Sequence, residues 1–97
     1  MKSKQEILRV LEQIREEIMR RYKVERVGLF GSFIKGEQKE GSDIDILVGF
    51  KEGADLFDFL GLALFLEGKL NQKVDVVSEA ALREELRMPI LREVAYV

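Results

Sequence analysis

The chain has 97 residues, 46% hydrophobic and 35% charged, with a formal net charge of −2, no Cys and no His. That composition belongs to a folded chain, and the length predicts one domain over residues 1–97 with a single modest core. The missing residue types exclude disulfides, thiolate chemistry and an imidazole base, so any metal has to be held by oxygen ligands. Lys and Arg are interspersed with Asp and Glu, and no basic block marks duplex DNA as a partner.

In chain order, "MKSKQEILRVLEQIREE" is amphipathic and reads as a helix, not as a signal peptide. No segment is apolar enough to span a membrane, and a cytoplasmic location is the expectation. Ile7, Leu8, Leu11, Ile14, Ile18 and Met19 recur at helical spacing up to about Tyr22. Ser3 is placed to cap this helix, and Glu16 and Arg20 are spaced as an i,i+4 pair. "VERVGLF" reads as a strand ending at Gly31, the run from Ser32 to Gly36 as a short helix, and "EQKEG" as a loop. "DIDILVGF" is an apolar strand with the character of a central one.

"DLFDFLGLALFLEGKL" predicts a helix capped by Asp55, with Asp58 in its first turn. Its residues 56–66 are apolar almost all round. Two readings follow: a central core helix, or a helix with one side against another protein chain, a homo-oligomer included. "KVDVVS" is a short strand; Ser78 is placed to cap "EAALREEL", and Pro89 suits the first turn of a last short helix. The apolar C-terminus "PILREVAYV" either joins the exposed surface or folds back on the core, with Tyr96 as a packing residue. The order predicts an α/β fold of the α+β type, a small mixed sheet of about three strands flanked by helices.

Within this frame the acidic residues are out of place. Asp43 and Asp45, two apart in a strand, project to one face while Ile44, Ile46 and Val48 take the other. Two carboxylates about 4 Å apart repel by roughly 4 kcal/mol at an effective dielectric near 20, and a divalent cation reverses that sign. Asp75, between Val74 and Val76, repeats the anomaly; buried and unpaired it would cost several kcal/mol. At the end of the first strand Gly31 lets the backbone come close to a ligand, Ser32 adds a hydroxyl at a helix start, and Lys35 adds a cation. A phosphate cradle beside carboxylates points to a metal–nucleotide site.

"GSFIKGEQKEGSDID" resembles the signature of the polymerase-β-like nucleotidyltransferase superfamily. Gly31, Ser32, Ser42, Asp43 and Asp45 match it in type and spacing, and Asp75 in "KVDVV" matches its third carboxylate. The small size is similar to the minimal nucleotidyltransferase (MNT) family, antitoxins of HEPN/MNT toxin–antitoxin pairs. The chain departs from the pattern at Lys35, where the family usually has arginine. The resemblance implies a nucleotidyltransferase fold and transfer of AMP from ATP to a protein hydroxyl, a tyrosine of a partner HEPN toxin. It implies two-metal in-line displacement with Mg2+ (two ions; Mn2+ accepts the same ligands) held by Asp43, Asp45 and Asp75. Gly31, Ser32, Lys35 and Ser42 would contact nucleotide and phosphate. The alternative is a catalytically silent antitoxin that neutralises its toxin by binding alone.

Overall fold

Residues 2–97 are described in a computed structural model, and the first helix, α1 (Lys4–Arg21), starts where its cap places it. Ser3 Oγ accepts from the Glu6 N–H at 3.2 Å, and Glu6 Oε1 accepts from the Ser3 N–H at 3.0 Å. This capping box satisfies donors that a helix start otherwise leaves orphaned. The i,i+4 ion pair of the last turn is Glu17–Arg21 at 2.8 Å, one residue on from the predicted Glu16–Arg20. The Arg21 guanidinium also lies over the Tyr22 and Phe65 rings, 5.2 and 5.1 Å from their centroids, which anchors that register.

Strand β1 (Val24–Phe30) leads through the one-turn α2 (Ser32–Lys35) and a loop into β2 (Ile44–Phe50). Helix α3 (Leu56–Leu70) then crosses over to β3 (Val74–Ser78), which lies parallel to β2, the pairing that needs such a crossover. A 3-10 turn (Glu79–Ala81) and α4 (Glu84–Glu93) lead to β4 (Ala95–Tyr96). The sheet is mixed, in the order β3-β2-β1-β4, with β1 antiparallel to both its neighbours. The predicted fold class is the observed one, with four strands in place of about three. The extra strand has two residues, too short to show alternation, and forms because the edge of β1 at Gly28 and Leu29 is open to it.

One face of the sheet carries the core. Val27, Leu29, Ile44, Ile46 and Val48 pack there against Ile7, Leu11 and Ile18 of α1 and Leu62, Leu66 and Leu70 of α3. Asp55 caps α3 in a second capping box with Asp58, as its position predicts. Only Leu62, Leu66 and Leu70 of this helix are buried, a single stripe at i, i+4, i+8. Leu56, Phe57, Leu60 and Leu64 face outward.

The C-terminal third departs from the sequence reading. Ser78 makes no side-chain cap; it precedes only the 3-10 turn, and the chain extends at Leu82 and Arg83 before α4 begins. Pro89 lies inside α4 and not in its first turn. The carbonyl that loses its donor there belongs to Glu85, which is exposed, so water can replace the missing bond. The last residues fold back on the sheet: Arg15 Nε donates to the Val97 carbonyl at 3.2 Å, and the Val97 N–H donates to the Val27 carbonyl at 3.1 Å.

Candidate active site

The second face of the sheet carries the charged residues. In register across three strands, Phe30 of β1 lies beside Asp45 of β2, and Asp45 beside Asp75 of β3. Gly31 turns the chain directly above Asp45. Its φ of 77° and ψ of −148° fall in a region essentially reserved for glycine, and a Cβ there would overlap Asp45 Oδ2. Two independent constraints thus require glycine at this position: the backbone angle, and the carboxylate against the Cα. Phe33, buried in the core, pins the turn of α2 that follows.

Asp45 is half-buried, whereas Asp43 and Asp75 are exposed. The predicted burial of Asp75 is therefore corrected: β3 is an edge strand, Asp75 lies on its open face, and water solvates the charge. Burial pushes the Asp45 carboxyl above its ordinary range, and the charges of Asp75, Asp43 and Glu93 add to the rise. A hydrogen bond from the Ser32 N–H opposes it. Among the described residues no group of three or more His, Cys, Asp or Glu side chains is gathered closely enough to hold a metal ion. The donor chemistry nonetheless fits magnesium or manganese: all candidate ligands are carboxylate oxygens, and the half-buried one is destabilised as an anion by its neighbours, a cost a divalent cation would reverse.

The remaining candidates are less free than the sequence suggests. The Gly31 N–H donates to Glu93 Oε1 at 3.1 Å, and Lys35 Nζ lies 3.5 Å from Glu93 Oε2. With the Ser32 N–H turned to Asp45, the Ser32 hydroxyl is the donor of the Gly-Ser pair with no protein hydrogen bond among the described residues. Ser42 builds the turn before β2: its Oγ accepts from the Lys39 N–H at 2.9 Å and its N–H donates to the Lys39 carbonyl at 2.9 Å. Its carbonyl accepts from Gln72 Nε2 at 3.0 Å, which ties this turn to the start of β3. Asp43 borders an open cleft with Glu40, Gln72 and Lys73.

Sequence reasoning missed Glu93. It stands at the end of α4, where a negative charge opposes the helix dipole, and that mismatch was the available signal. Also unforeseen is a network at the far end of the same face. Arg26 Nη2 donates to Glu79 Oε1 at 2.7 Å over Gly49, and the Tyr96 hydroxyl donates to Glu79 Oε2 at 2.6 Å. Arg26, and with it Tyr96, hold the Glu79 carboxyl below its ordinary range. Burial and Glu79 push the Tyr96 phenol up to about 12.

A parallel–antiparallel sheet with a Gly-Ser turn clasped against an Asp-x-Asp strand defines the nucleotidyltransferases as a class. The chain belongs to the nucleotidyltransferase domain family, whose profile matches residues 11–97, and is an enzyme of that class. It is similar to the protein adenylyltransferase MntA of Thermococcus cleftensis, 41% identical over 93 residues that cover 96% of this chain and 94% of the relative. A solved minimal nucleotidyltransferase superposes with a TM-score of 0.75 at 44% identity, covering 91% of this chain and 93% of that one. A toxin–antitoxin complex solved with AMP-PNP contains a chain matched with a TM-score of 0.69 at 28% identity, covering 88% of this chain and 70% of that one.

Proposed function

We propose that the protein transfers AMP from ATP to a hydroxyl of a partner protein, a tyrosine of an HEPN-type toxin, and by that modification acts as its antitoxin. The observation that carries this reading is the Asp45 carboxylate, pressed against the Cα of Gly31 and in register with Asp75. The names of the relatives support it: the Thermococcus protein is a protein adenylyltransferase, and the toxin–antitoxin complex binds an ATP analogue.

Asp43, Asp45 and Asp75 would hold magnesium, which neutralises charge on the phosphates when bound. The Gly31 N–H, the Ser32 hydroxyl and Lys35 would contact the outer phosphates, the first two as directional donors and the lysine as a point charge. Asp75 is exposed on the edge strand, and with no histidine in the chain it would take the phenolic proton. The tyrosine oxygen bonds to the α-phosphorus, the bond to the bridging oxygen breaks, and pyrophosphate leaves. The outward side of α3 would be the surface for the partner.

The test is incubation with ATP labelled at the α-phosphate, magnesium and the partner, comparing wild type with Asp45→Asn. Label on the partner should fall by about a thousandfold or more in the variant, since a charge-stabilising group is lost from the transition state. The exposed apolar side of α3 also favours a second reading, neutralisation by binding alone. Unlabelled partner with full neutralisation by Asp45→Asn would select it.

A further inference from the structure

Glu93 occupies the phosphate cradle from within the chain. Its two carboxylate oxygens take up the Gly31 N–H and the Lys35 ammonium, one each. These are a backbone donor and a cation of the kind that a polyphosphate would use. The side chain does not reach them by chance. It ends α4 immediately before Val94, and Val94 packs so closely on Gly28 that a Cβ at Gly28 would lie 2.7 Å from Val94 Cγ2. β4 then pairs with β1, so Glu93 is fastened from its C-terminal side by strand pairing and by the Arg15 contact to Val97.

We infer that Glu93 is an internal stand-in for the nucleotide's phosphates, displaced when the triphosphate binds, so that nucleotide affinity is set against docking of the C-terminal segment. The inference rests on the proposed reading of Gly31 and Lys35 as phosphate contacts. Both ligands are anions and both need the same donors, so they exclude one another by charge as well as by space. Loss of the Glu93 contacts removes the only hydrogen bond from the α4 end to the Gly31 turn among the described residues. Nucleotide binding should therefore loosen α4 and β4, the segment that also carries Tyr96.

The experiment measures binding of AMP-PNP with magnesium by calorimetry to wild type and Glu93→Gln, with adenosine as a ligand lacking phosphate. Glu93→Gln keeps the shape and an acceptor for the Gly31 N–H but removes the charge. It should bind AMP-PNP about tenfold more tightly, the change expected when one charge-assisted contact no longer competes, with adenosine affinity unchanged. Equal or weaker AMP-PNP binding by Glu93→Gln, with clear binding by wild type, overturns this inference and leaves the nucleotide reading standing. No AMP-PNP binding by either protein overturns both. Amide exchange of the wild type checks the result without a variant: faster exchange across residues 94–97 on adding AMP-PNP supports displacement, and unchanged or slower exchange overturns it.

Discussion

Asp45 is the residue on which fold and function pull in opposite directions. Its carboxyl is raised by burial and by the neighbouring acids, so the folded state favours the protonated form more than the unfolded state does. For a group raised in this way, the contribution to stability is present below the ordinary aspartate pKa and is lost as the pH climbs through the raised value. Above the raised value and without metal the protein therefore carries the full penalty. Asp45→Asn should raise the unfolding temperature by a few degrees at neutral pH in chelator, with the gain vanishing at acid pH, while transfer activity is lost. A lower unfolding temperature at neutral pH would show that the carboxylate supports the fold instead. Gly31→Ala is the converse case: it forces a side chain into a glycine-only angle and onto Asp45, and should destabilise by about 1–3 kcal/mol in chemical denaturation. At this scale the sequence was readable where chemistry is local: strand period sets Asp45 on the face opposite Ile44 and Ile46, whereas Asp43 precedes β2 and strand period does not place it. The sequence was silent on Glu93, which meets Gly31 across 62 positions of chain.

The elements from α1 to β3 were legible because each carries its own period, and both long helices are opened by capping boxes. The last third was not. None of the α4 side chains is buried, so no apolar stripe marks it, and β4 exists only through the open edge of β1. Besides the β1 pairing and the packing of Val94 and Val97, polar contacts hold this segment: the Tyr96 hydroxyl on Glu79, and Arg26 on the same carboxylate. Tyr96→Phe should lower stability by about 1 kcal/mol, less than a fully buried charged hydrogen bond gives, because both partners are in reach of water. A pH signature goes with it. The phenol is pushed up to about 12, so its contribution is intact below the ordinary tyrosine value and is lost as the pH rises through that of the folded state. In a Tyr22→Phe background the phenolate absorbance should titrate near the raised value in folded protein and at the ordinary value in denaturant. Coincident curves would mean that the Tyr96–Glu79 bond does not persist in solution.

At the scale of the whole molecule, a sheet covered on one face by two helices leaves no way to bury every side of α3. Leu62 is fully buried while Phe57 is 82% and Leu64 71% exposed, so the helix is amphipathic in position without being so in composition. The all-round apolar sequence is thus split by the fold: one side is core, and the other is exposed. No helix among the described residues is long and apolar enough to cross a membrane, so a bilayer-spanning helix does not account for the open side. Apolar side chains kept in water at i, i+3 or i+4, and i+7 are the pattern by which a helix meets another protein surface. The two sides should respond to substitution in opposite ways. Leu62→Ala should cost about 2–5 kcal/mol of stability, the range for truncating a fully buried leucine. The double variant Leu60→Asp/Leu64→Asp should leave unfolding within about 0.5 kcal/mol of wild type, since neither side chain is core, yet abolish co-elution with the proposed toxin partner in size-exclusion chromatography. If co-elution and label transfer both survive the double variant, the partner is held elsewhere. The exposed α4 residues Leu86 and Met88 would then be the next surface to substitute.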